Sequence, residues 1–553
     1  MQMLHQRFAA RRSAAAVALT FVLGSLASAQ CPVAKVSAQD STQTERLGWA
    51  VATHGDWLFV SDPYTNFASS DSGAVFVYNR EGPESPWKRT QILTQPTPVD
   101  SDLFGYSLAV DGDVLLVGAV RQSATGPLSG AAHVFRRNDS TWSHAQTLSP
   151  PNPTYKEEFG YAVDVEGGLL VVGAPSNGTL GIRQGAVYVW RDLGFGFATF
   201  EAAIYPTSVQ SQAEAGTSVA TDGVVIVAGA PFDTANGKGS AGSVVQFGKV
   251  GGVWIEQQRI VAPVPETDGQ FGTAIDLAPS YLAAGSPRDD TFGAQEGTVF
   301  LYARTAASWS LAQSIAPAAA TLASTVAFGS SVAMTDDALV VGYLEQCCQG
   351  DAAGVAFWER NGAIWTETKQ IFAPEGGSDD KSFGFDVAIT DELIVVGAPE
   401  DSDPLYRYGS AVIFDRTRTD CLYASPVNVP VGQGATVSLR SYSEPANAGD
   451  LVMVLGSATS SLSTISIDGV ALPLTLDAYT VLTAVQAGSP TFSGTVATFN
   501  GAGQSQAFIA VPAGLPTALV GVSLYHAYAR VALDGPVPVL VAASNPIAVR
   551  LGN

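Results

Sequence analysis

The sequence predicts an all-β protein, a seven-bladed β-propeller followed by a smaller β-sandwich domain, and three observations carry that prediction. Glycine (56) and proline (31) are abundant among the 553 residues while charged residues make up only 14%, a composition suited to many short strands joined by turns. A pair ending in glycine returns at Leu47-Gly48, Phe104-Gly105, Phe159-Gly160, Ala215-Gly216, Phe271-Gly272, Phe328-Gly329 and Phe383-Gly384, in steps of 57, 55, 56, 56, 57 and 55 residues. The composition then changes beyond Cys421: residues 422–553 contain no Lys, three Arg and five acids, and apolar runs such as ATVSLRSY and DLVMVLGS alternate with turns.

Each repeat supplies four strands. After the Phe-Gly pair comes an alternating segment such as YAVDV, then a short turn and an apolar run such as LLVVGA. A variable loop leads to a segment opened by glycine, such as GAVYVW, and a segment led by Trp closes the unit, as in WSHAQTL or WIEQQRI. The second and fourth residues after each repeat glycine are small or Asp, which suits strands crowded around one axis. Glycine in Gly-Ala-Pro is expected to take an unusual backbone angle where the second strand ends, and proline to stop the ladder there. Phe104 and Phe159, like Trp142 and Trp254, read as blade packing rather than as a platform for sugars.

These residues resemble the FG-GAP repeat, the unit of the seven-bladed propeller of integrin α subunits and of secreted bacterial proteins. The resemblance covers residues 33–415 and implies a propeller; Gly-Ala-Pro is degraded in several copies, as SDP at Ser61–Pro63 and GSP at Gly285–Pro287. In integrin-type repeats calcium is held by an Asp-rich loop between the first two strands. The corresponding turns here, such as DGD and EGG, are too short to supply its oxygen ligands, so neither metal nor cofactor is assigned.

The seventh copy lacks a Trp-led strand, and residues 33–40 (VAKVSAQD) fall in the vacant place by spacing, so the outer strand of the last blade is expected from the N-terminus. That would bring Cys31 beside Cys421, a candidate disulfide; Cys347-Cys348 form a strained vicinal pair, stay as two thiols or pair with another molecule. Residues 1–29 read as a signal peptide: Arg7, Arg11 and Arg12 precede an apolar stretch, and Ala27-Ser28-Ala29 is a cleavage pattern. Export to the periplasm, cell surface or medium is expected, with no transmembrane segment. Loss of the leader takes the net charge from −22 to −25, which argues against nucleic acid as a partner.

No catalytic constellation is legible, and the protein reads as a non-enzyme. His54, His133, His144 and His526 each stand alone in their neighbourhoods, and His133 reads as a packed or hydrogen-bonded strand residue. Propeller topology puts the loops before each Phe-Gly and after each Gly-Ala-Pro on one face, which is long-looped and acidic. Asp62, Asp71, Asp233, Asp289, Asp290, Asp401 and Asp403 are the candidate ligand-binding residues there. They serve an extracellular protein or glycan, a basic ligand or a shared divalent cation; the alternative is a solvated acidic rim. Asp164, Asp276 and Asp386 lie nearer the axis and are expected to accept backbone hydrogen bonds between blades, a channel cation being the alternative. The function expected is non-catalytic recognition or adhesion; a structural envelope component or an accessory scaffold of an extracellular enzyme system are the alternatives.

Overall fold

The computed structural model describes residues 31–37; 46–416 except 84, 124, 195, 293–295, 306–307, 318–326, 345–352, 374–381 and 402–408; and a discontinuous set of segments within 421–552. Cys347, Cys348, Asp403 and the expected leader lie outside the described residues, as do the side chains of Cys31 and Cys421.

Strand β1 spans Cys31–Ser37. Sheet I holds β2 (Val51–His54), β3 (Trp57–Asp62), β4 (Ala74–Asn79) and β5 (Lys88–Leu93). Sheet II holds β6 (Phe104–Asp111), β7 (Val114–Ala119), β8 (Ala131–Asn138) and β9 (Thr141–Leu148). Sheet III holds β10 (Val163–Glu166), β11 (Leu169–Ala174), β12 (Ala186–Asp192) and β13 (Ala198–Ile204). Sheet IV holds β14 (Ser218–Thr221), β15 (Ile226–Ala230), β16 (Ser243–Val250) and β17 (Val253–Ile260). Sheet V holds β18 (Ile275–Leu277), β19 (Tyr281–Ser286), β20 (Thr298–Arg304) and β21 (Trp309–Ile315). Sheet VI holds β22 (Ser331–Met334), β23 (Ala338–Tyr343), β24 (Gly354–Asn361) and β25 (Ile364–Ile371). Sheet VII holds β26 (Val387–Ile389), β27 (Leu393–Ala398) and β28 (Ser410–Asp415), and its fourth strand is β1, antiparallel to β28 with Lys35 opposite Val412. Each of these seven sheets is antiparallel and four-stranded, the first six being meanders, in a β-propeller arrangement in which the first strand of each neighbours the first strands of two others, from β2 round to β26 and back to β2.

The apolar run of each second strand follows from this stacking. Leu170 and Val172 of β11 pack toward sheet II, while Leu169 and Val171 pack toward sheet IV. Both faces of the strand are buried, so it reads as a continuous hydrophobic run rather than an alternating one. The seam between sheets VII and I is built alike, with Val36 of β1 in a core shared by Leu393, Ile413, Leu58 and Val60.

The two motif glycines do different work. Gly216 takes φ +94°, and the other repeat glycines take φ from +89° to +94°, a region costly for a residue with a Cβ. Gly173 of Gly-Ala-Pro has no positive φ, contrary to the sequence expectation. A Cβ there would lie 2.1 Å from the carbonyl oxygen of Gly216, so what it provides is close backbone approach across the seam. Gly397 repeats the contact at 2.2 Å from Gly48 O, between sheets VII and I.

Beyond Asp415, β29 (Cys421–Ser425) packs against β1 and pairs with Ala435–Tyr442, which pairs in turn with Gln504–Val511. A second sheet is built on Ser523–Ala532, flanked by Leu451–Ser457 and Ile547–Gly552. Val437, Leu439 and Ile509 of the first share a core with Val452, Val454 and Tyr528 of the second. Among the described residues no helix is long and apolar enough to cross a membrane.

Candidate functional site

The long loops of one face are tied to one another by backbone. Where both are described, the loop before a repeat glycine runs alongside the loop between the second and third strands of the preceding sheet. Leu103 N donates to Asp71 O (3.2 Å), Glu214 N to Arg183 O (3.0 Å) and Gln270 N to Ser240 O (3.0 Å). Leu103, Glu158, Glu214 and Gln270 all take left-handed φ between 55° and 60°, two residues before their repeat glycine. Non-glycine residues hold that conformation only when their surroundings fix it, so these four loop segments are fixed in place.

Most of the candidate aspartates turn inward from that rim. Among the described residues, the fourth residue after the second-strand Gly is buried and polar in five sheets: Gln122, Asn177, Asp233, Asp289 and Asp401. Its carbonyl accepts from the glycine that leads the third strand, as Asp233 O does from Gly242 N (3.0 Å). Its side chain clamps the loop from inside. Asp233 accepts from Ser243 Oγ (2.7 Å), Asp289 from Thr298 Oγ1 (2.9 Å) and Asp401 from Ser410 Oγ. Asp62, also buried, accepts from the backbone of Arg46 and Tyr64, both at 2.9 Å. Asp71 is half-buried and contributes its carbonyl to the loop ladder, whereas Asp290 is exposed and its N–H donates to Glu266 Oε2 (2.8 Å). The acidic rim expected from the sequence is therefore solvated only in part.

The residue directly after each repeat glycine lines the hub of the same face. Phe385, Trp49, Tyr106 and Tyr161, from sheets VII, I, II and III, form an arc with successive ring centroids 4.7, 5.6 and 5.1 Å apart. Tyr64, from the loop after β3, stands edge-on to Trp49 at 5.1 Å, and the Arg46 guanidinium lies 4.6 Å from the Tyr64 ring. On the opposite arc the same place holds Thr217, Thr273 and Ser330, whose hydroxyls donate to the loop carbonyls of Glu214, Gln270 and Ala327. Burial, then the neighbouring ring and the Glu158 charge, push the Tyr106 hydroxyl above the usual phenol range. All four rings of the arc are half-buried. The sequence expectation set aside the Phe preceding glycine and did not single out the residue following it.

Deeper along the axis, Asp164, Asp276 and Asp386 bridge seams as expected. Each accepts from the first strand of the next sheet: from Thr221 N (2.6 Å), Met334 N (2.7 Å) and Val51 N (2.8 Å). Desolvation raises their carboxyls to about 8, about 7 and about 6, the Asp276 charge adding to the rise at Asp164. At three of the other four seams the bridge is a serine hydroxyl donating to a repeat-glycine carbonyl: Ser107 to Gly160 O (2.9 Å), Ser218 to Gly272 O (2.8 Å) and Ser331 to Gly384 O (2.8 Å).

His133 is buried and hydrogen-bonded, as expected, with Nε2 2.8 Å from Gln122 Oε1. It does not stand alone, because its Nδ1 is 3.2 Å from His144 Nε2 across the β8–β9 hairpin. Burial, with the second imidazole beside it, lowers its pKa to about 3, so the ring is neutral and serves packing. Among the described residues no group of three or more His, Cys, Asp or Glu side chains is disposed to hold a metal ion.

This order of four-stranded sheets, with its paired glycines, is that of a β-propeller. The chain carries FG-GAP repeats, matched at residues 32–78, 87–135, 142–190 and 365–414. Each matched stretch opens on an outermost strand and ends on the third strand of the following sheet; the first opens on β1. A comparison with curated proteins finds no match. Among solved structures the chain is similar to an ancestral GH74 enzyme, at 11% identity and TM-score 0.42, over 70% of this chain and 51% of that one. It is similar also to the β-propeller domain of the Trilobed protease from Pyrococcus furiosus, at 7% identity and TM-score 0.38, over 72% of this chain and 96% of that one. The GH74 xyloglucanase from Xanthomonas campestris matches at 11% identity and TM-score 0.39, over 74% of this chain and 59% of that one. These likenesses carry no weight for function.

Proposed function

We propose that the chain is an exported, non-catalytic recognition or adhesion protein whose long-looped face meets an extracellular protein or glycan. In this reading the seven four-stranded sheets are the blades of one closed propeller, and residues 422–553 form a β-sandwich that spaces or anchors it. The observation that carries the reading is the arc of Phe385, Trp49, Tyr106 and Tyr161 at the hub of that face. Half-buried aromatic rings offer a large contact area at little cost in side-chain freedom, and the described loops around them are tied by seam-to-seam backbone bonds. The buried loop aspartates preserve the shape of that rim, and the exposed Asp290 with the half-buried Asp71 gives it negative charge.

The test is binding of the labelled full chain to arrayed envelope glycans and to intact cells, for the wild type, Trp49→Ala/Tyr106→Ala and the milder Phe385→Leu, each checked for an unchanged circular dichroism spectrum. Retained binding in wild type with at least a tenfold loss in a folded hub variant is the expected result, in keeping with the weight aromatic anchors carry in interfaces. Equal binding by all three would move recognition away from the hub. Absence of binding by the wild type would leave the structural envelope component as the better reading.

A further inference from the structure

The place two residues before the repeat glycine changes its charge around the ring. Sheets III and IV put Glu158 and Glu214 there, and both are partnered: Glu158 Oε2 accepts from Ser176 Oγ (2.7 Å), and Glu214 is paired with Arg183 (2.6 Å). Sheet I puts Arg46 there. Its backbone N–H donates to Asp62 (2.9 Å), and its guanidinium lies 4.6 Å from the Tyr64 ring and 6.0 Å from the Trp49 ring. Among the described residues that guanidinium has neither a hydrogen-bond acceptor nor a carboxylate partner, although the residue is half-buried, and none of its nitrogens is sealed from solvent. Every other buried or half-buried arginine described in residues 46–416 gives its guanidinium to protein oxygens, as Arg80 does to Asp56 and Glu392, and Arg360 to the carbonyls of Asp336 and Gly362.

A ring attracts the charge but is a poor acceptor for N–H, so the donors of Arg46 are left to water or to a ligand. Their planar fork matches a carboxylate, which takes two parallel hydrogen bonds from it. At the far end of the arc stands Glu158, whose charge acts on the Tyr106 and Tyr161 hydroxyls. A ligand that spans the arc therefore carries an anion at one end and hydrogen-bond donors at the other, a polarity that a uniformly charged polyanion lacks. We infer that the hub binds a glycan through one terminal uronic acid, with its carboxylate on Arg46, the C–H faces of the sugar rings on Trp49 and Tyr106, and sugar hydroxyls donating to Glu158. This rests on the recognition reading of the hub and names its ligand class. Across the hub the Thr217, Thr273 and Ser330 hydroxyls keep lone pairs for further donors, which the many O–H groups of a sugar supply and the single acid of a peptide side chain does not.

The test is titration calorimetry of the full chain with trisaccharides that end in one glucuronic or galacturonic acid, with their carboxyl-reduced counterparts and with an aspartate-rich peptide. The wild type is expected to bind at least one of the uronates about tenfold or more tighter than its reduced counterpart, the scale of a charge-assisted hydrogen-bond pair. Arg46→Gln is expected to erase that preference and Arg46→Lys to keep part of it, each with the melting temperature of the wild type. Equal affinity of the wild type for acid and reduced sugars, an undiminished preference in Arg46→Gln, or tighter binding of the peptide than of either uronate would each overturn the inference. Binding to intact cells that is lost in Trp49→Ala/Tyr106→Ala but untouched in Arg46→Gln would overturn it alone and leave the hub as the recognition site.

Discussion

Sheets IV and VII set the same ion pair at the same register, although the outer strand of one follows its neighbour through a tight Gly251-Gly252 turn and that of the other arrives from the opposite end of the chain. Arg259 and Lys35 both meet a buried carboxylate, so the ladder place, not chain continuity, decides which residue is needed. The difference lies one residue earlier. Gln258 of β17 ties its strand to the backbone of Trp309 in the next sheet, donating to its carbonyl (3.1 Å) and accepting from its N–H (2.8 Å). Ala34 occupies that register in β1 and cannot do so, and β29 packs against β1 instead. A closing strand thus keeps the contacts within its own sheet and gives up the clamp to its neighbour.

The sharpest way to break this comparison is to delete residues 31–37. Sheet VII would lose its outer strand, Val36 would leave the core shared with sheet I, and Asp401 would lose Lys35. Loss of the cooperative thermal transition, followed by tryptophan fluorescence, is the expected outcome; an unaltered transition would mean that β1 does not hold the ring. Next in size is Lys35→Met, which strands a carboxylate that is 4% exposed and is expected to cost about 3–5 kcal/mol in urea unfolding. Arg259→Met leaves Asp233, which is 0% exposed but keeps hydrogen bonds from Gln210 N and Ser243 Oγ, and should cost less because the guanidinium it removes is 26% exposed. Equal penalties would show that the closing strand is no more sensitive than a continuous one.

The smallest effect concerns pH and compares the axis with the rim. Asp164 and Asp276 hold their protons more tightly folded than unfolded, with carboxyls at about 8 and about 7. Their contribution to stability is full below the ordinary carboxylate range and is lost as pH rises through those values. Over pH 6.5 to 8 the melting temperature is therefore expected to fall, by on the order of 1 kcal/mol of stability per pH unit for each group. Asp164→Asn should flatten the upper part of that slope, and a wild-type profile level from pH 6.5 to 8 would count against the assignment. The buried imidazoles act in the opposite sense: His133, held at about 3, and His526, at about 4, lose their contribution as pH falls below 6.5.

Much of this architecture is legible in the chain because repetition multiplies each signal. The repeat spacing foretells four strands per unit, and the missing Trp-led strand points to residues near 33–40 as its substitute, realised as Cys31–Ser37. Alternation around the repeat glycine likewise points to Asp164, Asp276 and Asp386 as bridges. What stays hidden depends on the seam. Gly173 reads as a residue needing freedom at φ, whereas its reason is Gly216 O in another sheet, a contact no local pattern reports. The loop aspartates read as surface charge because their partners, such as Ser243 and Thr298, lie 9 or 10 residues on and are ordinary strand hydroxyls. His133 and His144 meet across a hairpin whose register shifts at a bulge, so their spacing in sequence does not announce contact. The hub arc was legible in principle, since Trp49, Tyr106, Tyr161 and Phe385 all follow a repeat glycine.

Because β1 runs antiparallel to β28, Cys31 lies opposite Asp415, so the start of the closing strand and the exit toward the C-terminal region sit at the same end of the ladder. Tension applied between the two ends of the chain would peel this pair one hydrogen bond at a time instead of shearing all of them together. A covalent link between Cys31 and Cys421, anticipated from their spacing, would stand at the first bond that such a force meets.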